Sequence, residues 1–112
     1  MLFFKKAMDL EAAEDFGDWF IKNENWIVEQ LQGTEGNTSA VHQVVAAVDK
    51  RLTPVFPYEK NENIQFQLGA NNGVNEFFFF HLGKKALKRD GAVLGNLMPA
   101  SVSSRWRFYL ER

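Results

Sequence analysis

Few residues in this sequence are of types that carry out chemistry, and the histidines are the first to consider. His42 and His81 are the only histidines, and the chain has no cysteine. Without cysteine the protein has no thiolate nucleophile and no disulfide. A zinc site needs three or four ligands, so two histidines from separate segments would require distant carboxylates. We therefore predict no metal and no cofactor, with His42 at the surface or at the boundary of the core.

His81 is the one candidate for acid–base catalysis, because it ends an aromatic run at residues 77–80. An imidazole can act as a general base near neutral pH. Paired with a carboxylate or with Tyr109 in a cleft, His81 would make a small enzyme possible. No nucleophile can be identified near it, so the sequence favours a packing role and predicts no catalytic residue.

The acidic residues that follow Asp9 in the first 32 positions form the largest charged group. They are Glu11, Glu14, Asp15, Asp18, Glu24 and Glu29. Their spacing places them mostly on the polar side of an amphipathic helix, which predicts a solvated face. The alternative is an immunity-type or inhibitory protein that binds a basic partner through these carboxylates.

Basic residues cluster late in the chain and could contact an anion or an acidic partner. They are Lys84, Lys85, Lys88 and Arg89, joined by Arg105 and Arg107 in the last segment. The net charge of −1 and the lack of a known reader motif argue against nucleic acid. A solvated cluster is the simpler interpretation.

Several other function classes lack their motifs. The sequence from Gly91 to Gly95 has no Lys-Ser/Thr pair for a phosphate loop, and no serine lies in a Gly-x-Ser-x-Gly elbow. Charges at Lys5 and Lys6 interrupt the first apolar residues, unlike a signal peptide. No apolar run approaches the ~20 residues that span a bilayer. We expect a cytoplasmic protein that does not contact membranes.

Two helices are predicted in the first half of the chain. Apolar residues at three-, four- and seven-residue spacings, from Phe16 to Leu31, predict a helix over about 9–32 with Asp9 as its cap. A turn at 33–37 precedes a second helix, capped by Asn37 or Thr38, whose valines face one side. Pro54 and Pro57 end it.

A hairpin follows. Ile64, Phe66 and Leu68 alternate with glutamines, which is the period of a strand. Asn72-Gly73 is a favoured two-residue hairpin turn. If Asn71 pairs with Val74, then Leu68 lies opposite Phe77, Phe66 opposite Phe79, and Ile64 opposite His81.

The same register places Phe78 and Phe80 on the opposite side of the sheet, beside Gln67 and Gln65. A strand that is apolar on both faces is usually central and covered on both sides. The alternative is that Phe78 and Phe80 form a surface for a partner protein or for a second copy of the chain. The sequence leaves core and interface open for these two residues.

The last third predicts a helix and a strand. Residues 84–98 are helical in character but contain Gly91 and Gly95, so Asp90 is predicted to cap a short helix over 91–98. The segment from Trp106 to Leu110 alternates as a strand, and 101–104 look like a loop. The result is one α+β domain over 1–112 in the order α-α-β-β-α-β, with a three-stranded sheet whose central strand is Phe-rich. Pairing of the third strand with the first or the second stays open.

The run Asp18-Trp19-Phe20, followed by Asn23-Glu24, resembles a group of small bacterial proteins whose first helix carries an aromatic-x-Trp-Phe-x-x-Asn-Glu pattern. Met98-Pro99 and the segment at 106–108 also lie where that group has a helix ending at Pro and a final Trp-containing strand. The resemblance implies the same order of elements and no assigned activity.

Together these patterns favour a non-catalytic module that binds a protein partner or itself, as a possible homodimer, through an aromatic face of the sheet. The predicted interface comprises Phe78, Phe80, Gln65 and Gln67.

Overall fold

The structure, a computed structural model, describes residues 7–32, 38–59, 64–71 and 74–112. These residues form the helices α1 (Leu10–Gln32), α2 (Thr38–Leu52), α3 (Lys85–Leu97) and the one-turn α4 (Ala100–Ser103), a 3-10 turn (Thr53–Val55), and the strands β1 (Gln65–Asn71), β2 (Val74–Phe80) and β3 (Trp106–Glu111). The predicted α+β class and the order of its main elements are confirmed. The one-turn helix α4 lies where the sequence predicted a loop at 101–104. Among the described helices, none has both the length and the apolar composition needed to cross a membrane.

The sheet has the order β1-β2-β3, so the Phe-rich strand β2 is central as predicted. β1 and β2 are antiparallel, and Leu68 pairs with Phe77 and Phe66 with Phe79, in the predicted register. This ladder ends at the pair Gln65–Phe80, so the predicted pair of Ile64 with His81 lies beyond it.

The turn at 72–73 lies outside the described residues. β3 pairs with β2 in parallel, which decides the question that the sequence left open.

Local signals explain where the first helices begin and end. The carboxylate of Asp9 accepts a hydrogen bond from the backbone N–H of Ala12 at 3.0 Å, which confirms the predicted cap of α1. The backbone N–H of Asp9 also donates to the carbonyl of Val55 at 2.8 Å, so this end of α1 is tied to the turn after α2. Pro54 lies in that 3-10 turn, directly after α2 ends. The predicted turn at 33–37 and the cap at Asn37 fall outside the described residues.

The core is built around Phe77 on β2, which is 2% exposed. Its ring lies 6.2 Å from the rings of Phe16 and Phe20 on α1. On the neighbouring strands, Phe66 and Phe108 stack on it at 5.9 Å and 5.4 Å. We call this side of the sheet the inner face. Aromatic pairs of this kind contribute about 0.5–1.5 kcal/mol each beyond their buried area.

Helix α3 also packs on the inner face, and its glycines are the reason it can approach. A Cβ atom on Gly91 would lie 2.7 Å from the ring of Phe79 and 2.9 Å from Leu110. A Cβ atom on Gly95 would lie 2.6 Å from the ring of Phe108. The prediction that these glycines interrupt the helix is therefore wrong, because they form the contact surface of one continuous helix. Asp90, predicted as a cap, lies inside α3 and is buried.

The glycine contact gives a direct test. Gly95→Ala should lower the free energy of unfolding by about 1–3 kcal/mol, because the new methyl group overlaps Phe108 in a packed core. Asn96→Ala, one residue along on the exposed side of α3, is the matched control and should leave stability unchanged or slightly raised. Chemical denaturation of both variants measures the effect. Equal stability of the two variants would contradict this packing.

Candidate binding surface on the outer face of the sheet

Alternation along the strands sends a second set of side chains away from the helices. Along β2, Phe77 and Phe79 are buried, whereas Glu76, Phe78 and Phe80 are half-buried. We call the side of the sheet that carries this second set the outer face. Among its side chains are those of Gln65, Gln67, Glu76, Phe78, Phe80, Arg107, Tyr109 and Glu111. The ring contacts of α1 and the glycine contacts of α3 with the sheet are made on the inner face.

The strand register arranges the outer face in rows. Phe78 pairs with Gln67 on β1 and with Tyr109 on β3. The rings of Phe78 and Tyr109 are stacked, with centroids 5.0 Å apart and planes inclined by 15°. The next row is Gln65, Phe80 and Glu111.

The four residues predicted as an interface are thus brought together on one surface. Sequence reasoning did not include Tyr109 in that surface. The alternation along β3 could have placed Tyr109 on this surface, but only if the parallel pairing of β3 with β2 had been known.

The six basic residues predicted to bind an anion or an acidic partner are not brought together. Lys84 lies after the end of β2, whereas Arg105 lies before the start of β3, beside the start of β2. With a rise of ~3.3 Å per residue, the two ends of β2 are about 20 Å apart. Arg107 lies on the outer face, and Lys85 and Lys88 are exposed on α3.

Three of these cations already contact carboxylates of the same chain. Lys84 binds Glu59 at 2.9 Å, and Arg89 binds the adjacent Asp90 through its Nε at 2.8 Å. Arg105 binds Glu24, which we describe next. The structure therefore gives these three side chains internal roles.

Glu24 forms a buried polar cluster that the sequence did not predict. Its side chain is only 7% exposed, and its carboxylate accepts hydrogen bonds from Arg105 Nε at 2.7 Å and from Trp106 Nε1 at 3.0 Å. The hydrogen bonds from Arg105 lower the pKa of Glu24, against the effect of burial, so the charged form is favoured. The prediction that Glu24 belongs to the solvated face of the first helix is therefore wrong, because it anchors α1 to the start of β3.

The remaining acidic residues of α1 do lie at the surface. Glu11, Glu14, Asp15 and Asp18 are exposed, at the spacing that forms one stripe along a helix. Asp15 lines a shallow pocket together with Lys50 and Arg51 of α2. Two cations beside the stripe weaken it as a negative surface for a basic partner.

A second buried polar cluster joins α3 to the segment after α2. The hydroxyl of Tyr58 donates to the carboxylate of Asp90 at 2.6 Å, and Arg89 donates to both oxygens of that carboxylate. Although burial raises the pKa of Asp90, the hydrogen bonds from Arg89 and Tyr58 outweigh it and lower the pKa. Burial and the bond to Asp90 raise the pKa of Tyr58, so its hydroxyl stays protonated. This cluster fixes the two segments and supplies no nucleophile.

His81 has a local role in the turn that follows β2. His81 Nδ1 accepts a hydrogen bond from the backbone N–H of Gly83 at 3.0 Å. That bond closes a tight turn in which Leu82 and Gly83 have positive φ values of 57° and 76°. Tyr109, its predicted partner, stacks on Phe78 on the outer face. His42 is exposed on α2, as expected.

Two pockets flank the sheet. One, of about 420 Å³, lies beside the first half of β3 and is lined by Gly95 and Met98 from the end of α3 and by Val102 of α4. The other, of about 350 Å³, lies between α2 and β1 and includes His42 and Asp49. His81 lines neither pocket. In the described part of the chain, no group of three or more His, Asp or Glu side chains is placed to hold a metal ion.

Comparison with known proteins does not add a function. No family model matches the chain, and no curated protein or solved structure matches it. The resemblance to the bacterial group with the Trp-Phe-x-x-Asn-Glu helix stays a prediction.

The Glu24 cluster predicts a specific pH dependence of stability. Because the folded state lowers the pKa of Glu24 below its ordinary value of 4.5, its contribution is present above that pH and is lost as the pH falls through the lowered pKa. Glu24→Gln should lower the free energy of unfolding at pH 7 by about 1–3 kcal/mol. It should also remove part of the loss of stability that the wild-type protein shows on acidification.

Denaturation between pH 3 and pH 7 measures both effects. Asp18→Asn, which removes an exposed carboxylate of the same helix, is the control and should retain the wild-type pH profile. A Gln variant with the wild-type stability and slope would show that the buried carboxylate does not stabilise the fold.

Proposed function

We propose that this protein is a non-catalytic module that binds a protein partner through the outer face of its sheet. The observation that supports the proposal is the stacked pair Phe78–Tyr109, with Phe80 in the next row, on the side of the sheet opposite the aromatic contacts of α1. Such aromatic surfaces on a folded domain often mark interaction sites.

The chemistry of the outer face suits a protein surface. Aromatic side chains are enriched among the residues that dominate binding energy, since they offer large, rigid contact areas. Gln65 and Gln67 border the aromatic residues on β1, and Arg107 and Glu111 border them on β3. An apolar centre with a polar border is the usual anatomy of a protein interface. The expected partner therefore presents an apolar patch with hydrogen-bonding groups around it.

The outer face is a better candidate than the acidic stripe of α1. Glu24, one of the carboxylates predicted there, is used inside the fold, and Lys50 and Arg51 lie beside the stripe. Surface charge mainly steers association, whereas buried aromatic contacts supply affinity.

A photo-crosslinking amino acid placed at Gln67 tests the proposal in the cell that makes the protein. Gln67 is exposed and lies in the same row as Phe78, so its crosslinks report contacts of the outer face. Ile21, 37% exposed on α1, is the matched control position. We expect a crosslinked partner from position 67 and none from position 21. Equal crosslinking from both positions, or none from position 67, would contradict the proposal.

Substitution then measures the contribution of the aromatic residues to binding of the crosslinked partner. Phe78→Gln should weaken binding by about 30-fold or more, the loss typical of an aromatic side chain at the centre of an interface. Ile21→Gln should leave binding unchanged. Circular dichroism should show both variants folded, because Phe78 is only half-buried. Unfolding of Phe78→Gln would instead assign Phe78 to the core.

A further inference from the structure

Strand β3 leaves one edge of the sheet without a neighbouring strand among the described residues, since the order is β1-β2-β3. Natural proteins usually protect such an edge with charged side chains, above all lysine, with proline, with a bulge, or with a covering helix or loop. The sequence of β3, from Trp106 to Glu111, contains neither proline nor lysine and pairs with β2 without a break in register, and its two charges, Arg107 and Glu111, are of opposite sign. Its composition is that of a strand able to pair on both sides.

The hydrogen bonds to β2 determine which residues of β3 face the open edge. The carbonyl of Arg105 accepts from the backbone N–H of Asn75 at 3.3 Å, and the carbonyl of Glu111 accepts from that of His81 at 2.9 Å. Odd-numbered residues therefore direct their backbone groups toward β2. Because these directions alternate along a strand, Phe108 and Leu110 direct their N–H and C=O groups to the open edge.

We propose that the protein forms a two-fold symmetric dimer in which the β3 strands of two copies pair antiparallel, with Tyr109 on the symmetry axis. In this register Phe108 lies opposite Leu110 of the second copy, and the two form hydrogen-bonded pairs through the backbone groups that they direct to the edge. The two sheets then become one six-stranded sheet. This inference goes beyond the binding function proposed above, because it uses the edge of the sheet and leaves the outer face open.

Charge complementarity selects this register. Arg107 lies two residues before Tyr109 and Glu111 two residues after it, and both are exposed on the outer face. Antiparallel pairing centred on Tyr109 places Arg107 opposite Glu111 of the second copy, and the symmetry repeats the pair. Opposite charges on directly facing residues stabilise the pairing of two strands.

Neighbouring registers lose these pairs. If the symmetry axis passes through Phe108, Arg107 lies opposite Tyr109, and Glu111 lies opposite Arg105, which already binds Glu24. If the axis passes through Leu110, the position opposite Arg107 lies past Glu111, where β3 ends. If the symmetry axis instead lies between two residues, an odd-numbered residue of one copy faces an even-numbered residue of the other. The backbone groups of the odd-numbered residue point toward β2 and are already bonded to it.

Two apolar features fit the same arrangement. The pocket of about 420 Å³ lies along the first half of β3 and includes Phe108, within reach of Leu110 of the second copy. On the outer face, the row Gln67–Phe78–Tyr109 would continue into Tyr109 and Phe78 of the second copy. The dimer would thus double the aromatic surface.

Charge-reversal variants test the proposal in two ways, because single variants should weaken the dimer and combined variants should restore it. Sedimentation velocity over a hundredfold range of concentration should show the wild-type protein with twice the mass of one chain. Arg107→Glu and Glu111→Arg should each weaken the dimer at least about tenfold, since each replaces two attractive pairs by two repulsive ones. An equimolar mixture of the two variants should restore the dimer, because both pairs of the mixed species are again attractive. The double variant R107E/E111R should restore it within one chain.

The controls separate this interface from the outer face. Glu29→Arg, the same charge change at an exposed position of α1, should leave the dimer intact. Circular dichroism checks the fold, since Arg107 also lies beside Glu76 on β2. A monomeric wild-type protein, a dimer unaffected by both single variants, or loss without restoration in the mixture and in the double variant would overturn the proposal. A dimer that only Phe78→Gln disrupts would overturn the edge pairing while supporting binding through the outer face.

Discussion

The close contact between α3 and the sheet is the constraint on which the rest of the structure depends. Gly91 and Gly95 lie one helical turn apart, and a methyl group at either position would overlap an aromatic ring of the inner face. Because α3 connects β2 to β3, its position also determines that β3 runs parallel to β2. A side chain at these positions would separate the helix from the sheet and open the core between them.

Within the described ranges, the contacts of α1 and α3 with the sheet lie on its inner face. The aromatic residues of β2 are divided by the alternation of the strand, so that Phe77 and Phe79 are buried while Phe78 and Phe80 are left half-buried. Two buried carboxylates then tie distant segments to the layer of helices. Glu24 joins α1 to Arg105 before β3, and Asp90 joins α3 to Tyr58. Each is held by several hydrogen bonds, the condition under which a buried charge is tolerated.

Much of the fold could be predicted from local signals. The alternation at 64–68 and the Asn-Gly turn predicted the register of the hairpin, because a two-residue turn leaves little freedom in pairing. Asp9 predicted the start of α1 for a similarly local reason. The face of α2 was less clear, since Val45, predicted to lie with the other valines on its apolar side, is 42% exposed beside the pocket next to β1.

The errors concern residues whose role depends on distant partners. Glu24 and Arg105 lie 81 positions apart, so no sequence window shows that the carboxylate is buried. Gly95 weakens a helix by its own propensity, and only the nearby Phe108 explains its presence. The same limit applied to the candidate surface. Gln65, Gln67, Phe78 and Phe80 could be grouped from the hairpin alone, whereas Tyr109 required the pairing of β3.

The central claim is that the sheet has a covered and an open face, and hydroxyl-radical footprinting at low protein concentration tests it most directly. Oxidation of aromatic rings reports their contact with water, and the two faces carry matched residues on the same strands. We predict that Phe78 is oxidised several times faster than Phe77 and Phe79, which are the same residue type on the same strand. Equal protection of Phe78 and Phe77 in the monomer would contradict the account, because it would show that the outer face is part of the core.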